Sequence, residues 1–272
     1  MTAARPVSPA RPRALVTGAS AGIGQTFAEH LAKDGYDLVL VARRRDRLEV
    51  LAKRLREEHR ADVEVVVADL IDAEDLRTVE ERAAAAPGLD LLVNNAGFGT
   101  AGPFAEADAD AEAREIRLNV LALTRLTRAA LPPMIQRGRG AIVNVSSMAG
   151  FGPAPYNATY AATKAFVNSF SEAIAEEVRG RGVVVQALCP GFTRTEFQSV
   201  AGVDVSGIPD FAWMEPAAVV EASLSALRSR DVICVPGLAN QVASWAARGL
   251  PRGLIARATG MVMGRRMRSG KS

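Results

Sequence analysis

The chain is poor in the residues that staple, ligate metal or titrate near neutrality. It has two cysteines, Cys189 and Cys234, among 272 residues. Two thiols build neither a disulfide framework nor a four-cysteine zinc site, and such sparing use suits a reducing compartment. The two histidines, His30 and His59, leave little room for a histidine metal site or a catalytic triad, so no metal is expected. No run of about 20 uninterrupted apolar residues exists, which excludes a spanning helix. Acidic residues are missing after Asp231. Residues 232–272 carry seven basic side chains, while the rest of the chain holds 26 basic against 30 acidic. A mildly acidic body with a +7 tail argues against a nucleic-acid-binding core, whatever the overall +3 suggests.

What is present is ordinary globular material, 49% hydrophobic and 23% charged. Residues 1–13 hold three prolines and three arginines and no apolar run, and read as a disordered tail without a secretory signal. Then short, mostly β-branched runs recur: Ala14–Thr17, Asp37–Ala42, Val63–Ala68, Leu89–Val93, Ala141–Val145, Val183–Leu188 and Val232–Val235. Continuous rather than alternating hydrophobicity marks strands buried on both faces. Helical stretches such as Asp46–His59 and Glu106–Arg137 lie between them. The alternation predicts one α/β domain over 14–236, a Rossmann-type doubly wound parallel sheet of about seven strands with helices on both faces.

The first strand runs into Thr17-Gly-Ala-Ser-Ala-Gly-Ile-Gly24 and then a helix. Glycines at 18, 22 and 24 let backbone turn sharply and approach a pyrophosphate, and the helix N-terminus offers free N–H groups to that anion. The stretch Gly18, Ser20, Gly22, Ile23 and Gly24 is therefore a candidate cofactor turn. The plain alternative is a strand–helix turn. At the end of the second strand a site for NAD(H) would want an acid for the ribose hydroxyls, but Ala42 stands there, followed by Arg43, Arg44 and Arg45. Guanidinium matches a 2′-phosphate, so NADP(H) is expected over NAD(H), with Arg43 the first contact and Arg44 next.

Tyr160 and Lys164 stand four apart on an expected helix, so phenol and ammonium share one face. With three tyrosines and four lysines in the chain, chance gives about 0.04 such pairs. A nearby ammonium would lower the phenol's pKa and suit it to proton exchange with an alkoxide. Ser147, or its neighbour Ser146, follows the fifth strand, where an open α/β sheet places ligands and where a hydroxyl can donate to an oxyanion. A turn or cap after the strand is the plain reading of that pair.

Together with Asp69-Leu70, Asn94-Asn-Ala-Gly97, Asn119 and Pro190-Gly191, these motifs resemble, in order and spacing, the short-chain dehydrogenase/reductase family over about Arg13 to Val235. The resemblance implies that Ser147, rather than Ser146, polarises the substrate oxygen while Tyr160 supplies the proton. Lys164 would tune Tyr160 and hold the nicotinamide ribose, and Asn119 would support proton resupply. It further implies cofactor contacts at Asp69, Leu70, Asn95, Ala96, Gly97, Pro190, Gly191, Thr193 and Thr195, and association as a homodimer or homotetramer. A cofactor-binding regulator without turnover is the competing class, but all four of these residues are present. A sugar epimerase would need a larger C-terminal region.

Residues 192–214 are unusually apolar for a loop and are expected to form a lid over a lipophilic carbonyl or alcohol. Phe98, Tyr156, Phe192 and Phe197 are the candidate pocket walls, and packing on the sheet is the bland reading of the lid. Residues 237–272 read as two short amphipathic helices broken at Pro251, with arginines opposite the apolar positions. They are expected to cover the pocket, form an interface or rest on an anionic membrane surface. The chain as a whole is expected to be cytoplasmic, with peripheral membrane contact through this segment.

Overall fold

Each β-branched run of the sequence becomes a strand, and the central strands are buried on both faces while the two edge strands are partly exposed. The computed structural model describes residues 11–85, 88–201 and 208–269. The first ten residues, and Gly202, Val203, Val205 and Gly207 of the expected lid, lie outside the described residues. The strands are β1 (Arg13–Thr17), β2 (Asp37–Ala42), β3 (Val63–Val67), β4 (Leu91–Asn94), β5 (Gly140–Val145), β6 (Val183–Leu188) and β7 (Ile233–Cys234). All pair in parallel, in the order β3-β2-β1-β4-β5-β6-β7. Chain direction along the sheet reverses between β1 and β4, and that switch opens a crevice at the strands' carboxyl ends.

Helices α1 (Gly22–Lys33) and α2 (Arg45–His59) cover one face, with Phe27, Leu31, Leu48 and Leu55 fully buried under them. Helix α3 (Ala73–Ala84) covers the other, capped by the Asp72 carboxylate, which accepts from the Glu74 and Asp75 N–H groups. On this face lie α4 (Ala109–Ile116) and α5 (Leu123–Arg137), joined through a π-helical turn at Arg117–Ala122. The expected helix over Glu106–Arg137 therefore begins three residues late and carries a widened turn where Asn119 sits. The disordered reading of 1–13 is too long at its end. Arg11 donates to the carbonyls of Gly35 and Arg60, and Arg13 opens β1.

The chain continues through α6 (Ala158–Glu177), α7 (Phe197–Val200) and α8 (Pro216–Ser229) to α9 (Leu238–Gly249) and α10 (Arg252–Ser269). The last two meet at Pro251, as the sequence pattern requires. Polar side chains stitch the sheet to its helices. Asn94 Nδ2 donates to Asn144 Oδ1 at 2.9 Å and Thr127 Oγ1 at 3.0 Å, and Asn144 Nδ2 donates onward to Ser171 on α6 at 3.0 Å. These buried amides have partners on neighbouring elements, which fixes α5 and α6 against β4 and β5.

Candidate active site

The glycine turn is built as its sequence requires. Gly18 and Gly22 have φ of +66° and +54°, the left-handed region that L side chains avoid. A Cβ on Gly18 would stand 2.7 Å from Asn95 Nδ2. That amide donates to the Thr17 carbonyl at 2.9 Å, and Thr17 Oγ1 accepts from the N–H groups of Asn95 and Ala96. The turn after β1 and the turn after β4 are thus locked together, with α1 starting just behind. Thr195 leans over the turn, since a Cβ on Gly22 would meet its Cγ2 at 2.9 Å.

Both turns open into a cavity of about 560 Å³. Of the expected cofactor residues, Gly18, Ser20, Gly22, Ile23, Arg43, Arg44, Asp69, Leu70, Asn95, Ala96 and Gly97 line it. So do Pro190, Gly191, Thr193 and Thr195 from beyond β6. Gly24 stands behind this wall against the Gly18 carbonyl. At the end of the cavity beside β2 the two arginines differ. Arg44 Nε donates to Ser20 Oγ at 3.1 Å and its Nη1 pairs with Glu196 at 2.8 Å. Arg43 is more exposed and stands 3.8 Å from Asp69. Arg44 is therefore the arginine anchored to the glycine turn.

At the other end Ser147, Tyr160 and Lys164 converge, and Asn119 stands against Lys164 across Gly97. Ser147 is near enough to Tyr160 to favour the ionised phenol, and its Oγ accepts from the Ala149 N–H at 3.1 Å. Lys164 Nζ donates to the Val145 carbonyl at 2.8 Å and lies 5.6 Å from the Tyr160 ring centroid. Ser146 also lines the cavity, but its hydroxyl is engaged, donating to the Lys164 carbonyl at 2.9 Å. Asn119 is buried, and its amide donates to the Phe98 carbonyl and Thr163 Oγ1. A Cβ on Gly97 would meet Asn119 Oδ1 at 2.9 Å and Lys164 Nζ at 3.5 Å. This glycine keeps clear the place where amide and ammonium face each other.

Protonation departs from the sequence expectation. Burial pushes the Tyr160 hydroxyl up to about 12; the Ser147 hydrogen bond pulls it back, and the charge of Glu115 raises it further. The expected lowering by Lys164 is not what sets this group. Burial also pulls Lys164 down to about 8, against the opposing pull of Glu115. Cys189 is a packed thiol, buried and pushed up to about 12, which makes it a poor nucleophile.

On the substrate side Phe98 and Phe197 line the cavity, and the Phe197 ring lies 5.4 Å from that of Tyr160. Tyr156 and Phe192 do not line it. Tyr156 sits at φ +67° in the turn before α6, and Phe192 packs on Trp213 at the lid's far end, 5.7 Å away. Sequence reasoning missed Glu115, Arg114, Leu118, Glu196 and Gln198. Arg114 and Leu118 had a signal, one helical turn apart just before Asn119, whereas Glu115 and Glu196 matter through contacts distant in sequence. No cluster able to hold a metal exists among the described residues.

A seven-stranded parallel sheet, a glycine turn at its switch point and a Ser–Tyr–Lys–Asn group, with Lys164 and Asn119 buried and Ser147 and Tyr160 half-buried, define a nicotinamide-dependent oxidoreductase of the Rossmann class. Residues 12–204 match the family model of the short chain dehydrogenases, and the chain belongs to that family. A short-chain dehydrogenase from Sphingobium yanoikuyae, solved in complex with NADPH, is similar at 42% identity. The match covers 90% of this chain and 95% of that one, with a TM-score of 0.81. The bulky-bulky ketone specific alcohol dehydrogenase from Comamonas testosteroni is 36% identical over 89% of this chain and 95% of its own, with a TM-score of 0.76. The very-long-chain 3-oxoacyl-CoA reductase of Anas platyrhynchos is 33% identical over 82% of this chain and 72% of its own length. The chain spans 61% of the Homo sapiens protein of that name.

Proposed function

We propose that this chain is an NADPH-dependent carbonyl reductase, also able to run the reverse alcohol oxidation, for a lipophilic ketone or 3-oxoacyl group. The observation that carries the reading is the hydroxyl pair Ser147–Tyr160 facing Phe197 at one end of the cavity that the glycine turn opens at the other. The cavity suits a dinucleotide: glycines stand where a Cβ would collide, and arginines stand where the second strand lacks an acid.

The nicotinamide cofactor supplies the hydride when bound. Ser147 donates to the substrate oxygen and holds charge as it develops there. Tyr160 gives that oxygen its proton, downhill because an alkoxide is a far stronger base than a phenolate. Lys164 offers a cation beside Tyr160 and the cofactor cleft. Asn119, gripping the Phe98 backbone, fixes the loop after β4 against α6 and keeps the amide next to Lys164.

The NADP(H) preference rests on Arg44, tied to Ser20, with Arg43 beside it and Ala42 in the acid's place. The NADPH-bound Sphingobium relative supports it. The substrate class rests on Phe98, Phe197 and the apolar lid, supported by the ketone and 3-oxoacyl names of the relatives. Turnover of NADPH with bulky ketones and 3-oxoacyl thioesters, compared with Tyr160→Phe, tests the reading. It expects NADPH consumption matched by alcohol formation in the native chain alone; consumption by the Phe variant at the native rate would sink it.

The C-terminal helices carry a second proposal. Leu238, Val242 and Trp245 form an exposed stripe on α9, and the segment holds basic and no acidic residues. This arrangement suits an anionic bilayer surface.

A further inference from the structure

Glu115 is a buried carboxylate with no part in the proposed hydride and proton transfers. Among the described residues, Glu115 and Lys164 are the charged side chains with almost no exposure, at 0% and 5%. They have opposite sign and stand on α4 and α6, which pack together. Buried charges are costly unless compensated, so two of them across one interface call for a common explanation. They do not touch. Glu115 Oε2 accepts from the Thr100 N–H at 2.8 Å and its hydroxyl at 2.7 Å, while Lys164 is bonded to the Val145 carbonyl. Thr100 in turn accepts from the Asn157 amide at the head of α6. Glu115 Oε1 is buried and has no hydrogen-bond partner. A neutral acceptor such as a Gln amide could also accept from Thr100. What the carboxylate adds is its charge.

We propose that Glu115 is a positioning residue for Lys164: its buried charge keeps Lys164 an ammonium at neutral pH, and its clasp on Thr100 ties the loop after β4 to the head of α6. The function assigned to Lys164 rests on the reductase reading above. The groups facing Glu115 are few. Burial raises the Glu115 carboxyl above its ordinary range and Glu112 on its own helix adds to this, while the two Thr100 donors and then Lys164 favour ionisation. Tyr160, from α6, feels the same charge, which holds the phenol protonated. Arg114 is exposed and paired with Asp108. Removing the charge alone should therefore release Lys164 toward the neutral amine, a change that loosening the loop would not produce.

The chain has four lysines, so Lys164 can be followed by NMR of carbon-13-labelled lysine side chains and assigned with Lys164→Met. In the native chain it is expected to titrate near 8. In Glu115→Gln the midpoint should fall by about one pH unit, while Thr100→Val, which loosens the clasp but keeps the charge, should leave it in place. A midpoint unchanged in a folded Glu115→Gln overturns the proposal. If that variant does not fold, linkage supplies a reciprocal test: in Lys164→Met the Glu115 carboxyl must titrate higher than in the native chain, and an unchanged value overturns the proposal as well. The titration needs no turnover, so its failure is distinct from failure of the reductase reading.

Discussion

Burial moves Tyr160 and Lys164 in opposite directions, and the two shifts set how the site should respond to pH. In the proposed reaction, reduction needs the Tyr160 proton, present throughout the working range because the hydroxyl sits near 12. It also needs the Lys164 ammonium, which is lost as pH rises through about 8. Reductive kcat/KM should thus be flat through neutrality and fall above that point. Oxidation needs the phenolate and should gain with rising pH before the same loss sets in. A reductive profile still climbing well above 8 would show that Lys164 is not the group that titrates. Tyr160→Phe should lower kcat by roughly 10²–10⁴-fold, the worth of a positioned proton donor, with NADPH binding retained by fluorescence titration. Tyr160 and Lys164 were legible in the sequence because helix geometry alone puts residues four apart on one face. The direction of their shifts was not, since it depends on burial and on Glu115, which reaches α6 only in the folded chain.

Elements explain why the motifs lie where they do. The seven strands were legible because their runs are apolar without alternation; β2 and β6 keep the expected ends and the other ends moved by at most two residues. The π turn at Arg117–Ala122 was not legible, because nothing in Arg-Leu-Asn-Val-Leu-Ala marks a change of helical pitch. Within it Asn119 is buried and bonded to the Phe98 carbonyl rather than turned to solvent. The glycine turn sets a prediction at this scale. Gly18→Ala places a Cβ against Asn95 in a backbone with φ +66°, so it should destabilise the fold by about 1 kcal/mol or more and weaken cofactor binding at least tenfold. Thermal unfolding and NADPH titration read both; a variant with native stability and affinity would mean that the turn tolerates side chains. At the edge of β2, Arg44→Ala should raise the NADPH KM by about 10–100-fold and barely change that for NADH, as expected for a lost charge-assisted bond to phosphate. Equal losses for both would remove the NADP(H) preference.

At the scale of the molecule, the tail closes on the active-site wall. Ile255 stands 3.0 Å from where a Cβ on Gly152 would be, Thr259 Oγ1 donates to the Pro153 carbonyl, and Arg248 lies over the Phe151 ring at 4.6 Å. All three partners lie in the segment between Ser147 and Tyr160, so part of the basic extension is enzyme rather than appendage. Its outward stripe remains for a surface. A chain ending near Pro236 should lose co-sedimentation with anionic vesicles that the full chain shows, and equal partitioning would end that reading. The Ser147–Phe197 end of the cavity and the Arg44 end belong to one crevice, and the central claim is that hydride crosses it to a carbonyl. The direct test supplies NADPH carrying deuterium at the transferable position together with a bulky ketone or 3-oxoacyl thioester, and reads the alcohol by mass spectrometry. Deuterium is expected on the carbinol carbon with the native chain and almost none with Tyr160→Phe; bound NADPH that transfers no deuterium to any of these carbonyls would rule out hydride transfer to a carbonyl.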